Sequence, residues 1–378
     1  MTDQPGAPLT FREMNLRVFE GKPNPHVLFQ PRFEPWFDWH RHAGDLPPRI
    51  AEMDIAEVYD FVGCAMRYVH YYTPQPNPIV QHFDPEVRID HENQGDQRTI
   101  TYHTPHGPLH ETRRWTVDQT WRTVDHAGKS VDDLPKLRWL LARRHNRLDP
   151  DRFAAGDGYI GDRGVPQFWV PKSPYQSLCL QWMNFEPFIY ALHDAPEEMA
   201  EIMAVIDRSY DALFQQIASH EGIRIVNFGE NIAEAHGGPA LFERHLMPYY
   251  EKRVGQLRAA GVFTHIHIDG AFRSLIPLIP QLPHDGVEAL TPRPQADETL
   301  DEMQEAVGDK VLLDGIPAVL FMRQFPREQL ERCVKDLVDR FGGRLVLGIS
   351  DELPEGAEAE GFERLRWVAD WARRTPAG

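Results

Sequence analysis

Five short apolar runs in the second half of the chain carry an acidic residue or a histidine near their ends, and stretches with helical periodicity separate them. The runs are 223–230, 263–270, 286–292, 311–317 and 344–351, with Glu230, His267, Glu288, Asp314 and Asp351 in this order. Strand and helix alternating at this spacing predict βαβ units and a parallel sheet. Polar residues at the carboxyl ends of near-continuous apolar strands are typical of a (β/α)8 barrel, whose active site is built there.

The sequence therefore predicts an α/β protein: a single (β/α)8 TIM barrel domain over residues 1–378. A doubly wound open sheet is the competing architecture, but it usually has a glycine-rich phosphate loop after its first strand, and this sequence has none. Helix signals support the alternation, since Thr299 and Glu302 form a capping-box pattern and Gly342-Gly343 follows the periodic stretch 327–341.

The N-terminal half is less regular. Residues 26–32 predict the first barrel strand, with Gln30 and Arg32 at its mouth, and residues 54–67 predict a helix. Residues 79–123 interrupt the α/β pattern. Within them, 98–115 alternates in the manner of an antiparallel β-hairpin whose turn is at 104–108, so we expect a hairpin insertion in the barrel.

Composition excludes several classes of partner. The net charge of −17 argues against nucleic acid or an anionic membrane as a binding partner. Three separated cysteines with no CxxC pair indicate neither a disulfide scaffold nor a thiolate-rich zinc site, which fits the reducing cytoplasm. No targeting segment is evident at the start, and no apolar stretch approaches membrane-spanning length.

The run 263–270 contains the most concentrated polar set. Its alternation puts His265, His267 and Asp269 on one face of a strand. Burying two imidazoles and a carboxylate is costly unless something binds them, so we expect either a divalent metal or charged substrate, or else a hydrogen-bonded network. His267 is the predicted metal ligand or central proton-transfer group. His265 is expected to be the structural histidine of the pair, and with Glu288 and Asp314 it completes the predicted substrate-contacting set.

Several segments together resemble the uroporphyrinogen decarboxylase superfamily, most strongly in the C-terminal part of the chain. They are Asn227–Asn231, Pro239–Arg253, His267–Gly270, Asp314–Pro317 and Leu347–Pro354. The resemblance implies a (β/α)8 barrel and one of two chemistries: porphyrinogen decarboxylation, or zinc-dependent methyl transfer to or from a corrinoid protein or a thiol.

The decarboxylase branch fits poorly. Its members carry an Arg-Gln-Ala-Gly-Arg segment and a late Gly-His, whereas the matching residues here are Pro31–Pro35 and Gly348–Ser350, so one arginine and the histidine are missing. The methyltransferase-like branch, which includes corrinoid-dependent O-demethylases of aromatic methyl ethers, holds zinc by a His-x-Cys pair and a later cysteine. The resemblance places His267 at the histidine, Asp269 at the first cysteine, and Asp351 or a neighbour at the second.

We therefore predict a metal site of His267, Glu230 and Asp351, with Glu230, Asp269 and Arg32 as catalytic residues. Glu230 is included because Glu230, Asp269 and Asp351 would repel one another without a cation or shared protons, and Gly229 leaves room beside it. Imidazole and carboxylates can ligate Zn²⁺, and Mn²⁺, Fe²⁺ and Mg²⁺ are alternatives. The favoured function is methyl transfer from a small, aromatic methyl ether to a corrinoid carried by a partner protein, in the cytoplasm. Two alternatives remain: a decarboxylase of a small carboxylic acid acting through Arg32, and a non-catalytic binding protein.

Overall fold

The computed structural model describes residues 8–268 and 272–377. Its strands are β1 (Leu28–Phe29), β2 (Ile79–Phe83), β3 (Ile89–Gln94), β4 (Gln97–Tyr102), β5 (Leu109–Trp115), β6 (Trp121–Asp125), β7 (Arg144–Leu148), β8 (Trp169–Val170), β9 (Ile225–Ile232), β10 (Phe263–Ile268), β11 (Gly286–Glu288), β12 (Val311–Pro317) and β13 (Leu345–Ser350). The predicted alternation of strands and helices in the second half is confirmed.

A seven-stranded parallel sheet forms the centre, in the order β1-β13-β12-β11-β10-β9-β8. Every residue of β12 and of β13 is buried, which explains why these strands are apolar along their whole length. The strands from β9 to β13 are neighbours in chain order, as predicted. Their carboxyl ends therefore lie at one edge of the sheet.

Helices follow most strands of the central sheet, and the described residues form fourteen α-helices in all. They are α1 (Phe11–Phe19), α2 (Glu34–Ala43), α3 (Ile55–Val62), α4 (Leu134–Leu141), α5 (Pro150–Ile160), α6 (Pro174–Ser177), α7 (Phe185–Asp194), α8 (Pro196–Ser209), α9 (Asp211–Ala218), α10 (Gly238–Leu241), α11 (Met247–Ala259), α12 (Leu300–Val307), α13 (Arg327–Phe341) and α14 (Glu358–Arg374). The predicted capping box is confirmed, because Thr299 and Glu302 cap each other at the start of α12. Among the described residues, no helix has the length and apolar character needed to cross a membrane.

The segment 65–69 contacts both edges of the central sheet. The Ala65 N–H donates to the Phe29 carbonyl of β1 at 2.8 Å, and the Val69 N–H donates to the Gln167 carbonyl, just before β8, at 3.1 Å. The predicted helix over 54–67 is therefore too long. Helix α3 ends at Val62 because Gly63 adopts a left-handed φ of 72°, which redirects the chain into this segment. The prediction of eight parallel strands in a barrel is supported in part: the described residues form one parallel sheet of seven strands.

The predicted hairpin is present within a larger antiparallel insertion. Strands β4 and β5 pair with Tyr102 opposite Leu109, and β3 and β6 extend them to a four-stranded sheet. A separate two-stranded sheet pairs β2 with β7, so that Gln81 lies opposite Asn146. This second sheet contributes to the functional site, although β7 lies outside the predicted excursion of 79–123.

Candidate active site

A buried ionic network lies at the carboxyl ends of the central strands. Arg67 contacts Glu288 of β11 at 2.5 Å and Asp314 of β12 at 2.8 Å. Arg32, just after β1, contacts Asp314 at 3.3 Å and Glu288 at 3.9 Å. It also forms an ion pair with Asp351, which follows β13. The structure thus brings together Arg32, Glu288, Asp314 and Asp351, as the strand ends predict.

The network keeps Glu288 ionised. Burial alone would raise its pKa, but Arg32 and Arg67 hold the pKa of this carboxyl well below its usual range. Its oxygens also accept hydrogen bonds from the Tyr68 hydroxyl at 2.7 Å and from the Asn227 amide. Glu288 is therefore a fixed anion, fully enclosed and surrounded by donors.

His267 lies between this anion and Asp351. Its Nδ1 is 3.3 Å from Glu288 Oε2, and its Nε2 is 3.8 Å from Asp351 Oδ2. Glu288 fixes the orientation of the ring, while Nε2 is on the side of the partly exposed Asp351. This geometry suits proton transfer at Nε2, because Glu288 holds the other ring nitrogen and leaves Nε2 on the open side.

His265 lies deeper and differs in its surroundings. Its side chain is fully buried, and its Nε2 is 2.8 Å from Gln167 Oε1. Burial lowers the pKa of its imidazole, so His265 is neutral at pH 7. It does not line the cavity described next, which agrees with a structural role and gives no contact by which it would bind a substrate.

A cavity of about 450 Å³ opens at these strand ends and is bounded on one side by β2 and β7. His267 and Asp351 line it. Its other polar and aromatic lining residues are Arg32, Arg144, Lys172, Asn77, Gln81, Asn146, Gln181, Asn231, Tyr71, Tyr210 and Trp169. The cavity therefore combines cations, amides and aromatic faces.

Glu230 lies apart from this group. Its carboxylate accepts hydrogen bonds from the Ser173 backbone at 2.6 Å, the Ser173 hydroxyl at 2.5 Å and the Tyr250 hydroxyl at 3.0 Å. It is fully buried, and desolvation raises its pKa. Its neighbours Gly229 and Asn231 line the cavity, so Glu230 is directed to the opposite face of β9. This placement departs from the prediction that Glu230 is a metal ligand or acid beside His267, and it gives Glu230 a role in joining β9 to α11.

The described donors do not make a complete metal site. His267 and Asp351 are the two predicted ligands that come together, and Asp269 lies outside the described residues. In residues 8–268 and 272–377, no group of three His, Cys, Asp or Glu side chains is arranged to hold a metal ion. Arg32 moreover places its own positive charge against Asp351. Zinc stays a prediction, and we derive no catalytic step from a metal.

Aromatic residues form part of the cavity wall. Tyr71 lines the cavity. Trp36 is buried in the core, where its ring stacks on the Phe362 ring with 5.2 Å between the ring centroids. The main aromatic wall is Trp169, which stacks on Tyr68 at 4.1 Å. No apolar periodicity identifies Trp169 in the sequence, because β8 has two residues.

The sequence matches no protein-family model and no curated protein sequence. Among solved structures, the chain is similar to a methyltransferase from Methanosarcina mazei, with a TM-score of 0.54 and 12% identity over 96% of this chain and 99% of that chain. It also matches a Listeria monocytogenes protein provisionally assigned as a vitamin-B12 independent methionine synthase, with a TM-score of 0.46 and 13% identity over 92% of this chain and 96% of that chain. At these identities, the first likeness supports the fold, and the activity must be argued from the site.

Proposed function

We propose that this protein is a methyltransferase that removes a methyl group from the oxygen of a small substrate bound in the cavity. The observation that carries the proposal is His267, the imidazole among the described lining residues, held at Nδ1 by the buried anion Glu288. An ether oxygen is a poor leaving group, so its departure requires a proton donor or a Lewis acid. His267 supplies the proton donor.

We also infer that the central sheet closes into a barrel through residues 65–69. Hydrogen bonds from Ala65 to β1 and from Val69 to Gln167 support an eighth strand between the two edges. Closure would put the ionic network at the mouth, where (β/α)8 enzymes bind their substrates. The M. mazei methyltransferase has a similar fold, and the superfamily resemblance points to the same chemistry.

In the proposed reaction, the bond between the methyl carbon and the substrate oxygen breaks, and the electron pair stays on the oxygen. His267 Nε2 donates its proton to this oxygen, while Glu288, 3.3 Å from Nδ1, holds the ring in place. The product hydroxyl keeps this proton, and Asp351, 3.8 Å from Nε2, is positioned to return a proton from solvent to His267. A corrinoid carried by a partner protein would supply the nucleophile that takes the methyl group, and this part of the proposal rests on the resemblance.

The decarboxylase alternative required Arg32 to bind the substrate carboxylate. Arg32 is instead engaged by Asp314, Glu288 and Asp351. A guanidinium that already neutralises protein carboxylates attracts a substrate carboxylate less strongly. We therefore favour methyl transfer.

Aromatic methyl ethers and cob(I)alamin as a free methyl acceptor provide the test, with transfer followed by the absorbance of methylcobalamin. His267→Asn should lower the rate by about a hundredfold or more. His145→Asn is the matched control, because His145 pairs with Asp84 outside the cavity and should leave the rate unchanged.

Equal rates for His267→Asn and the intact protein would refute the role of His267. Absence of transfer from every ether tested, with CO₂ released from small acids instead, would favour the decarboxylase. Elemental analysis of the purified protein tests the zinc prediction separately.

A further inference from the structure

Two polar side chains of β7 line the cavity in addition to the ionic network. Arg144 and Asn146 both line it, and they are two residues apart on one strand. Residues at this spacing project from the same face. Both are almost fully buried, at 3% and 6% exposure respectively.

Arg144 is a buried cation that has no anionic partner among residues 8–268 and 272–377. Its Nη2 donates to the Tyr210 hydroxyl at 3.0 Å, and its guanidinium lies 5.6 Å from the Trp182 ring and 5.5 Å from the Tyr210 ring. Within the described parts of the chain it forms no ion pair, and its Nε has no acceptor. Buried charges in proteins are normally paired, so this arrangement indicates an anion that comes from outside the chain.

Asn146 extends the donor surface. Its Nδ2 is also buried without a hydrogen-bond acceptor. A guanidinium carries N–H donors and no acceptor, and the amide nitrogen of Asn146 adds further donors, a combination suited to the two oxygens of a carboxylate. The acid among the described lining residues is Asp351, which is already bound by Arg32 and so does not neutralise Arg144.

We propose that Arg144 and Asn146 form a carboxylate-binding subsite, and that the substrate is a small organic acid anchored there. The inference rests on the proposed function only in placing the substrate in this cavity. The anchoring carboxylate is retained during the reaction, because the bond that breaks is at the oxygen facing His267. Trp169 offers a flat wall for the body of the substrate between the two ends.

Isothermal titration with benzoate tests the subsite without turnover, and benzamide is the neutral isostere. The intact protein should bind benzoate and bind benzamide at least tenfold more weakly. Arg144→Gln should weaken benzoate binding by about tenfold to a hundredfold, as expected for a hydrogen bond to a charged group. Asn146→Ala should weaken benzoate binding several-fold. This variant also tests the subsite if Arg144→Gln does not fold. Arg147→Gln is the matched control, since Arg147 lies on the same strand and pairs with Asp149 outside the cavity.

Equal binding of benzamide and benzoate, no binding of benzoate by the intact protein, or unchanged affinity in both Arg144→Gln and Asn146→Ala would overturn the subsite. His267→Asn separates this inference from the proposed function, because it should retain benzoate binding while losing methyl transfer. Benzoate binding without methyl transfer in the intact protein would support the subsite and contradict the methyltransferase. Methyl transfer with unchanged affinity in the subsite variants would do the reverse.

Discussion

Replacing Glu288 by glutamine should destabilise the protein strongly. Glu288 is fully buried, and its Oε1 accepts from Arg67 at 2.5 Å and from the Tyr68 hydroxyl at 2.7 Å. The Asn227 amide donates to its other oxygen. Glutamine keeps the shape but removes the charge. Its amide nitrogen is a donor, and it would face either the donors Arg67 and Tyr68 or the amide of Asn227.

The expected cost is about 3–5 kcal/mol, the range for breaking one side of a buried ion pair. The fully buried part of the network is close to neutral, with Arg32 and Arg67 set against Glu288 and Asp314, while Asp351 pairs with Arg32 from a partly exposed position. Glu288→Gln leaves the two guanidinium groups facing one buried carboxylate. Replacing Arg67 and Glu288 together by methionine should cost less than the two single replacements summed, because no unpaired charge remains.

Urea unfolding at pH 7 measures this difference, with the exposed Glu305→Gln as a control that should stay within about 0.5 kcal/mol of the intact protein. The effect should also depend on pH. The folded state lowers the pKa of Glu288, so its contribution is fully present above its ordinary value of 4.5 and is lost as the pH falls further. A Glu288→Gln protein within about 1 kcal/mol of the intact protein at pH 7 would refute the network as a source of stability.

Two further predictions concern residues near the network. Burial raises the pKa of Glu34 from 4.5 to about 7. The intact protein should therefore lose about 3 kcal/mol relative to Glu34→Gln as the pH rises from 4.5 through 7, which urea unfolding at pH 5 and pH 8 would detect and which a constant difference would contradict. A Cβ at Gly348 would lie 2.4 Å from Asp314 Oδ1, so Gly348→Ala should cost about 1–3 kcal/mol in thermal unfolding. Gly255→Ala, where the Cβ meets nothing within 4 Å, should not destabilise α11, and equal losses in both variants would argue against crowding at Asp314.

The polar residues at the strand ends of the second half could be predicted from the sequence for a physical reason. Strands buried on both faces must be apolar, so a polar residue where such a strand ends stands out. His267, Glu288 and Asp314 are all found this way, and parallel neighbours bring them together. Their alternation also ranked His265 as the deeper histidine, and the structure buries it completely.

Glu230 shows where the same reasoning fails. Alternation along β9 puts Asn227 and Gly229 toward the interior and Glu230 toward α11, where it meets Tyr250. The prediction relied on the acidic side chain of Glu230 and did not consider which residues of β9 point toward the interior. The residue of β9 that contacts the ionic network is Asn227, whose amide donates hydrogen bonds to Glu288 and to the Tyr68 hydroxyl.

The two arginines outside the predicted site were missed for different reasons. Arg67 lies in a segment too short to show a strand period, and only Gly63 indicates that the preceding helix has ended. Arg144 and Asn146 lie on a strand with the sequence Arg-His-Asn-Arg-Leu, whose buried face is polar. A polar strand has no hydrophobic pattern and is indistinguishable from a loop until its partner β2 is known.

That polar face distinguishes the two sides of the cavity. On the ionic-network side, Arg32 and Arg67 are matched by carboxylates of the chain itself, so the protein has no electrostatic need for a ligand there. On the β7 side, Arg144 is buried among aromatic rings and a hydroxyl, and the desolvation of its charge is only partly offset. Natural sequences keep an incompletely compensated buried charge where binding requires it, since a neutral residue of similar size would make the protein more stable. The chemistry of the site is therefore best sought between His267 and Arg144, with the reacting end of the substrate at the first and its charge at the second.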